Sequence, residues 1–282
     1  MKILVLLKQT FDTEEKIIVT AAGVDEKDAK FVINPYDEYA LEEALRQRER
    51  LGGEVIAVTC GPERSQDALR TALAIGADEA IRLDSGSLPD DGSAVAAALA
   101  AIIKPLSPDL LLAGLFAVDS GAGSVALQIA ERLGLPHASS AVKLTILTAD
   151  ELSSLPKEGL LLEAGASSAV RFALVERDIE GDTETVSLPL PALITAQQGL
   201  NEPRYPSLPG IMKAKRKPLR TATLQELVSS GALSAESVSP RTSRSKLLPP
   251  PPRAAGKRLP GAPAEQAASL VSLLREEAKL PL

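Results

Sequence analysis

The chain has 282 residues, a formal net charge of −6 and 45 % hydrophobic residues. That is enough for one large or two small domains, too acidic for a general nucleic-acid binder, and without an apolar run of membrane-spanning length. One Cys, one His, no Trp and 2 % aromatics leave little room for a disulfide framework or a metal site and demand an aliphatic core.

Met1-Lys2 leads straight into an apolar run with no signal-peptide cleavage pattern, so a cytoplasmic protein is expected. Residues 3–7, Ile-Leu-Val-Leu-Leu, read as a strand buried on both faces, as in parallel sheets. The loop that follows, residues 8–12, lies at the end of the strand where open α/β sheets bind ligands. Residues 17–19 are a candidate edge strand. Asn34, Pro35, Asp37 and Glu38 mark a helix start, with Asn34 as cap and the acids at the positive end of the dipole. That helix should run to about residue 51, where Gly52-Gly53 ends it.

Strands are expected over residues 54–60, 80–83 and 109–114, alternating with helices over 65–75, 93–103 and 123–133. The alternation predicts an α/β fold with a mainly parallel sheet, Rossmann-like, and helices on both faces. Cys60, apolar-flanked at a strand end, reads as structural rather than nucleophilic. His137 has no Asp or Ser constellation nearby in sequence and reads as structural or surface.

Residues 114–125, Gly-Leu-Phe-Ala-Val-Asp-Ser-Gly-Ala-Gly-Ser-Val, join a buried strand to a helix. Small residues there let backbone N–H groups and a helix N-terminus approach an anion. The spacing matches neither a dinucleotide fingerprint nor a Walker loop, and a plain strand-to-helix turn would look the same. Further on come a strand over residues 142–148 and a hairpin, added to the parallel sheet, with arms 171–179 and 183–190. In the second arm Pro189 suggests an edge position. A short core strand follows over 191–195.

Residues 199–218 read as neither helix nor strand, because Pro and Gly break any period. They combine exposed-looking apolar residues with Lys213, Lys215, Arg216 and Lys217, the pattern of a docking surface. From 229 to 260 Ser, Pro and basic residues dominate, and a helix opens at Pro263 and runs to about 278. An extended C-terminal arm ending in a lone amphipathic helix must lie on its own domain or on another chain. The expected division is an α/β unit over 1–220, which includes residues 199–218, and an arm over 221–282.

Residues 199–218 resemble the segment by which the beta subunit of electron-transfer flavoproteins docks on dehydrogenases. Residues 175–195, a basic residue and acidic turn followed by Pro and a short apolar strand, resemble the same family's signature. The resemblance runs over nearly the whole chain. It implies an electron carrier with no catalytic side chains, paired with an alpha subunit that carries FAD and that the arm embraces. It implies an adenine nucleotide, AMP, bound by Leu6, Asn34, Pro35, Tyr36, Asp37, Cys60 and Gly114. The rest of that site is Phe116, Ala117, Val118, Asp119, Ser120, Gly121, Ala122, Gly123, Ser124 and Val125. It implies docking by Tyr205, Leu208, Pro209, Ile211, Met212 and Lys213, with Leu208 as the anchor. No metal is implied.

Leu115 and Phe116 stand where the family has a basic residue and Gln, which leaves phosphate contacts to main chain and Ser124. The family's bifurcating branch, in which a second FAD reduced by NADH replaces AMP, looks like Asp-Gly-Asp-Thr where this chain has Asp119-Ser-Gly-Ala122. That difference favours AMP and leaves the second FAD as the alternative. A stand-alone nucleotide module or hydrolase is the rival of another class, but residues 8–12 lack the Gly-rich Ser or Lys pattern a hydrolase would need.

Overall fold

A computed structural model describes residues 1–20, 23–156, 160–162, 169–249, 251–253 and 255–281. The strands are β1 (Lys2–Leu6), β2 (Gln9–Phe11), β3 (Val19–Thr20), β4 (Gly23–Val24), β5 (Phe31–Ile33), β6 (Glu54–Gly61) and β7 (Glu79–Asp84). They continue with β8 (Leu110–Gly114), β9 (His137–Thr148), β10 (Leu160–Leu162), β11 (Arg171–Ile179), β12 (Asp182–Pro189), β13 (Ala192–Ala196) and β14 (Leu219–Ala222). The helices are α1 (Pro35–Leu51), α2 (Gln66–Ile75), α3 (Gly92–Ile103), α4 (Ser124–Leu133), α5 (Ala149–Ser153), α6 (Leu208–Ala214), α7 (Leu224–Ser229) and α8 (Pro263–Glu276).

One sheet of order β10-β12-β11-β9-β13-β8-β1-β6-β7-β14 organises the chain. From β9 to β14 every pairing is parallel, and the β11–β12 hairpin adds antiparallel strands beyond β9. The continuous apolar runs become its centre: Ile3, Leu4, Leu110, Leu111 and Leu112 are fully buried. Successive side chains point to opposite faces. Ile3 and Val5 therefore meet α1 and α2 through Leu41, Leu45, Leu69 and Leu73. Leu4 and Leu6 meet α3 and α4 through Leu99, Ile103 and Ile129 on the other face. Each such side chain contributes about 1.5–3 kcal/mol by leaving water.

Several expectations change. Residues 208–214 form a helix, not an irregular loop: Ser207 accepts from Gly210 N at 3.1 Å and caps it, and Pro209 sits in its first turn. Pro suits a first turn, so the breakers in this stretch are a helix start. Helix α6 lies so close to α2 that a side chain at Gly210 would collide with the Ala74 carbonyl. Pro189 is not on an edge strand, since β12 lies between β10 and β11. The β10 ladder reaches only Thr185, Val186 and Ser187, so Pro189 pairs with Phe172 alone and no ladder bond is lost. The expected boundary at 220/221 falls inside β14, which pairs with β7. Of residues 17–19 only Val19 is in a strand, the two-residue β3, which pairs with β4.

Candidate functional site

The sheet changes direction at β1: β6 and β7 lie on one side of it, β8 and β13 on the other. Such a switch point leaves a crevice at the carboxyl ends of the strands. Here it is a cleft of about 750 Å³, lined by the ends of β1 (Leu6, Lys8), β6 (Cys60) and β8 (Gly114), and by residues of the 115–125 turn.

The turn is shaped by α1. Asn34 does not cap that helix with its side chain. Its amide donates to the Phe116 carbonyl at 2.9 Å, and its carbonyl accepts from Val118 N at 3.0 Å. Asn34 is thus a clip that mimics a strand partner for the turn, and it is buried. Asp37 accepts from Lys8 N at 2.6 Å and Gly114 N at 3.0 Å, tying the ends of β1 and β8 together. Burial pushes its carboxyl up to about 7, against the pull of those two N–H groups. Gly114 is required because a Cβ there would overlap the Asp37 carboxyl and the Tyr36 backbone. The Tyr36 and Phe116 rings pack 4.3 Å apart behind the turn.

The turn closes on itself through Ala117 N donating to the Ala122 carbonyl at 3.0 Å and Gly121 N donating to the Ala117 carbonyl at 2.8 Å. Gly121 has φ +67, which its missing side chain permits. Lys8 donates to Asp119 at 2.7 Å and steadies the acidic tip. The Cys60 thiol is pushed up to about 12, mainly by burial and secondarily by Asp84, so it is no nucleophile at neutral pH.

Leu6, Asn34, Asp37, Cys60 and Gly114 line the cleft, as do Phe116, Ala117, Asp119, Ser120, Ala122, Gly123 and Val125. Pro35, Tyr36, Val118, Gly121 and Ser124 do not. Pro35 and Tyr36 belong to α1, Val118 and Gly121 shape the turn, and the Ser124 hydroxyl accepts from Gln128 at 3.2 Å. Residues distant in sequence complete the walls: Thr10, Phe31, Arg64, Asp91, Arg244 and Leu247. Phe11 packs on Phe31, and the Arg64 guanidinium lies 3.7 Å over the Phe31 ring. The sequence signal for this wall was the placing of residues 8–12 at the ligand-binding end of the first strand.

These groups suit the phosphate end of a nucleotide. Helix α4 begins without a side-chain cap, and its first residues border the cleft beside small residues. Thr10 lines the cleft, but its hydroxyl is sealed from solvent and has no hydrogen-bond partner among the described residues. Among those residues no cluster of three His, Cys, Asp or Glu could hold a metal, and no helix is long and apolar enough to cross a membrane.

The second surface lies around α6. Tyr205, Leu208, Ile211 and Met212 are exposed, Leu208 by 75 %, and Pro209 and Lys213 are exposed beside them. Beneath them the backbone is stapled. Arg70 donates to the carbonyls of Ala214 and Lys217, and Asn201 donates to the Tyr39 carbonyl. Arg204 binds Glu42 at 2.8 Å and Glu49 at 2.5 Å. Lys217 is not part of the cationic rim: its ammonium caps α2 through the carbonyls of Leu73, Gly76 and Ala77, and burial lowers its pKa. The apolar tips therefore stand on a rigid platform.

A mainly parallel sheet with helices on both faces and a ligand-sized cleft at its switch point defines a Rossmann-like α/β protein. Residues 22–227 match the family model of the electron transfer flavoprotein domain. The chain is 44 % identical to the electron transfer flavoprotein subunit beta of Bacillus subtilis, over 99 % of this chain and 100 % of that one. It is 37 % identical to subunit beta of Syntrophomonas wolfei over 99 % and 98 %. Against the mitochondrial subunit beta of Arabidopsis thaliana it is 38 % identical over 80 % and 83 %. The chain belongs to the electron transfer flavoprotein beta-subunit family.

Proposed function

We propose that this chain is the beta subunit of a heterodimeric electron carrier whose alpha subunit holds the redox FAD. It binds AMP in the switch-point cleft as a structural ligand. It docks through Leu208 and its neighbours on flavin dehydrogenases such as acyl-CoA dehydrogenases, and electrons pass through the FAD toward a quinone reductase in the cytoplasm. The observation that carries this reading is the cleft. Its wall offers uncapped helix N–H groups and small residues where a phosphate would sit. FAD supplies the redox chemistry when bound; the residues of this chain bind, position and exclude water. The arm beyond residue 247, with Leu270 and Val271 exposed on α8, lies against the alpha subunit.

The volume of the cleft, about 750 Å³, favours keeping a second reading in which FAD fills it and NADH delivers electrons there. Co-expression with the alpha subunit, followed by denaturation and separation of released nucleotides, distinguishes them. The expected result is one FAD and one AMP per heterodimer. Two FAD and no AMP select the second reading, and no nucleotide at all refutes both.

A further inference from the structure

We infer that residues 241–247 form a strap across the nucleotide cleft, and that Arg244 on this strap is the cation that meets the phosphate of the bound nucleotide. This rests on the reading of the cleft as an adenine-nucleotide site.

A phosphate group favours a cation, and the turn from 115 to 123 contains no Lys or Arg. Among the described residues three cations line the cleft: Lys8, Arg64 and Arg244. Lys8 is committed to Asp119 at 2.7 Å, a carboxylate mostly shielded from solvent. Arg64 is held on the Phe31 ring and donates to Gln9 at 2.6 Å and to Glu26 at 3.2 Å. Among the described residues the partner of Arg244 is Asp90, at 3.0 Å, and that carboxylate is 77 % exposed. An exposed pair contributes little. Exchanging Asp90 for a phosphate therefore costs little, whereas recruiting Arg64 would break its part-buried bond to Gln9 and its seat on Phe31, and recruiting Lys8 would leave the Asp119 carboxylate without its cation.

The strap is placed by Asp91. One carboxylate oxygen caps α3 by accepting from Ala94 N at 2.9 Å. The other accepts from Arg241 N at 3.1 Å, Thr242 N at 2.9 Å and the Thr242 hydroxyl at 2.7 Å. The Thr242 hydroxyl, with these N–H groups, holds the Asp91 carboxyl down at about 2, so the anchor stays ionised. Asp91 precedes Gly92, and a Cβ on Gly92 would touch Val125 at 3.5 Å and Ser124 at 3.9 Å. The strap thus arrives where the N-termini of α3 and α4 meet. That of α3 is filled by Asp91, and that of α4 has no side-chain cap. Beyond Leu247 the chain continues through its proline run to α8, so cofactor and arm share one anchor.

The test uses the complex of this chain with its alpha partner, loaded with labelled AMP. Arg244→Ala is expected to release the label about tenfold faster than the parent complex, the loss of one hydrogen-bonded charge contact. Arg244→Lys should fall between them. Thr242→Val, which loosens the strap but keeps the cation, should also speed release. Hydrogen exchange over residues 241–247 should slow when AMP binds to the parent and not to Arg244→Ala. Equal release rates and equal protection in parent and Arg244→Ala overturn the inference and leave the AMP site standing. A parent complex that takes up no AMP overturns the AMP reading of the cleft along with it.

Discussion

Asn34 holds the 115–125 turn through both ends of one buried amide, so it can be perturbed in two separable ways. Asn34→Ala removes the donor to Phe116 O and the acceptor for Val118 N. Each buried backbone group left unpaired costs about 1–3 kcal/mol. Both groups are only part-buried, so the variant should lose roughly 2–4 kcal/mol of stability by urea denaturation and, on the proposed reading of the cleft, release nucleotide faster. Asn34→Asp keeps the acceptor but sets a carboxylate oxygen against the Phe116 carbonyl, 2.9 Å from where the amide nitrogen stood. Burial and that carbonyl raise the pKa of the introduced carboxyl above its unfolded value of about 3.9. The protonated form, which donates to Phe116 O as the amide did, is then favoured by folding. The penalty of Asn34→Asp should be fully present above the folded pKa and shrink as pH falls toward about 4. Denaturation of parent and both variants at neutral and acidic pH is the assay. An Asn34→Ala variant within about 0.5 kcal/mol of the parent, or an Asn34→Asp penalty that ignores pH, would refute the clip.

Leu208→Ala should leave stability within about 0.5 kcal/mol, since the side chain is mostly in water, yet weaken dehydrogenase docking by about 2 kcal/mol, roughly thirtyfold. Stopped-flow reduction at sub-saturating dehydrogenase checks this, and unchanged kinetics would sink the anchor. Arg204→Ala strands the buried Glu42 carboxylate, with Arg46 as its remaining partner. Arg204 is a third open to solvent, which screens the pair, so about 2 kcal/mol should be lost at neutral pH. Burial works against the Glu42 charge, but Arg204 and Arg46 prevail and its pKa is lowered. The contribution is present above its unfolded pKa of 4.5 and disappears as pH falls through the lowered folded value. A loss that persists unchanged in acid would contradict this. Cys60, with its pKa at about 12, should carry about one thiolate in ten thousand at pH 8 and alkylate correspondingly slowly until the protein is unfolded. Rapid modification of the native protein would show a cleft more open than described.

The central strands were legible because a parallel strand covered on both faces leaves an uninterrupted apolar run, as residues 3–7 and 110–114 do. Helix α1 was legible from Pro35, the acids of its first turn and Gly52-Gly53. Helix α6 was not, although Ser207 and Pro209 are ordinary start signals. Its seven residues are too few to be stable alone and hold their shape through Arg70 and the close approach to Ala74. Lys217 read as surface charge, because which carbonyls an ammonium reaches depends on where α2 ends in space. By its own residues the chain determined a parallel α/β core, the turn at 115–125 and an exposed apolar stretch near residue 208, since each is a local matter of hydrophobic period and backbone freedom. The far wall of the cleft, from Thr10, Phe31 and Arg64 to Asp91 and Arg244, was decided only by the tertiary structure. Contacts between residues up to about 150 positions apart, such as Thr242 with Asp91, leave no periodic trace in the sequence that makes them.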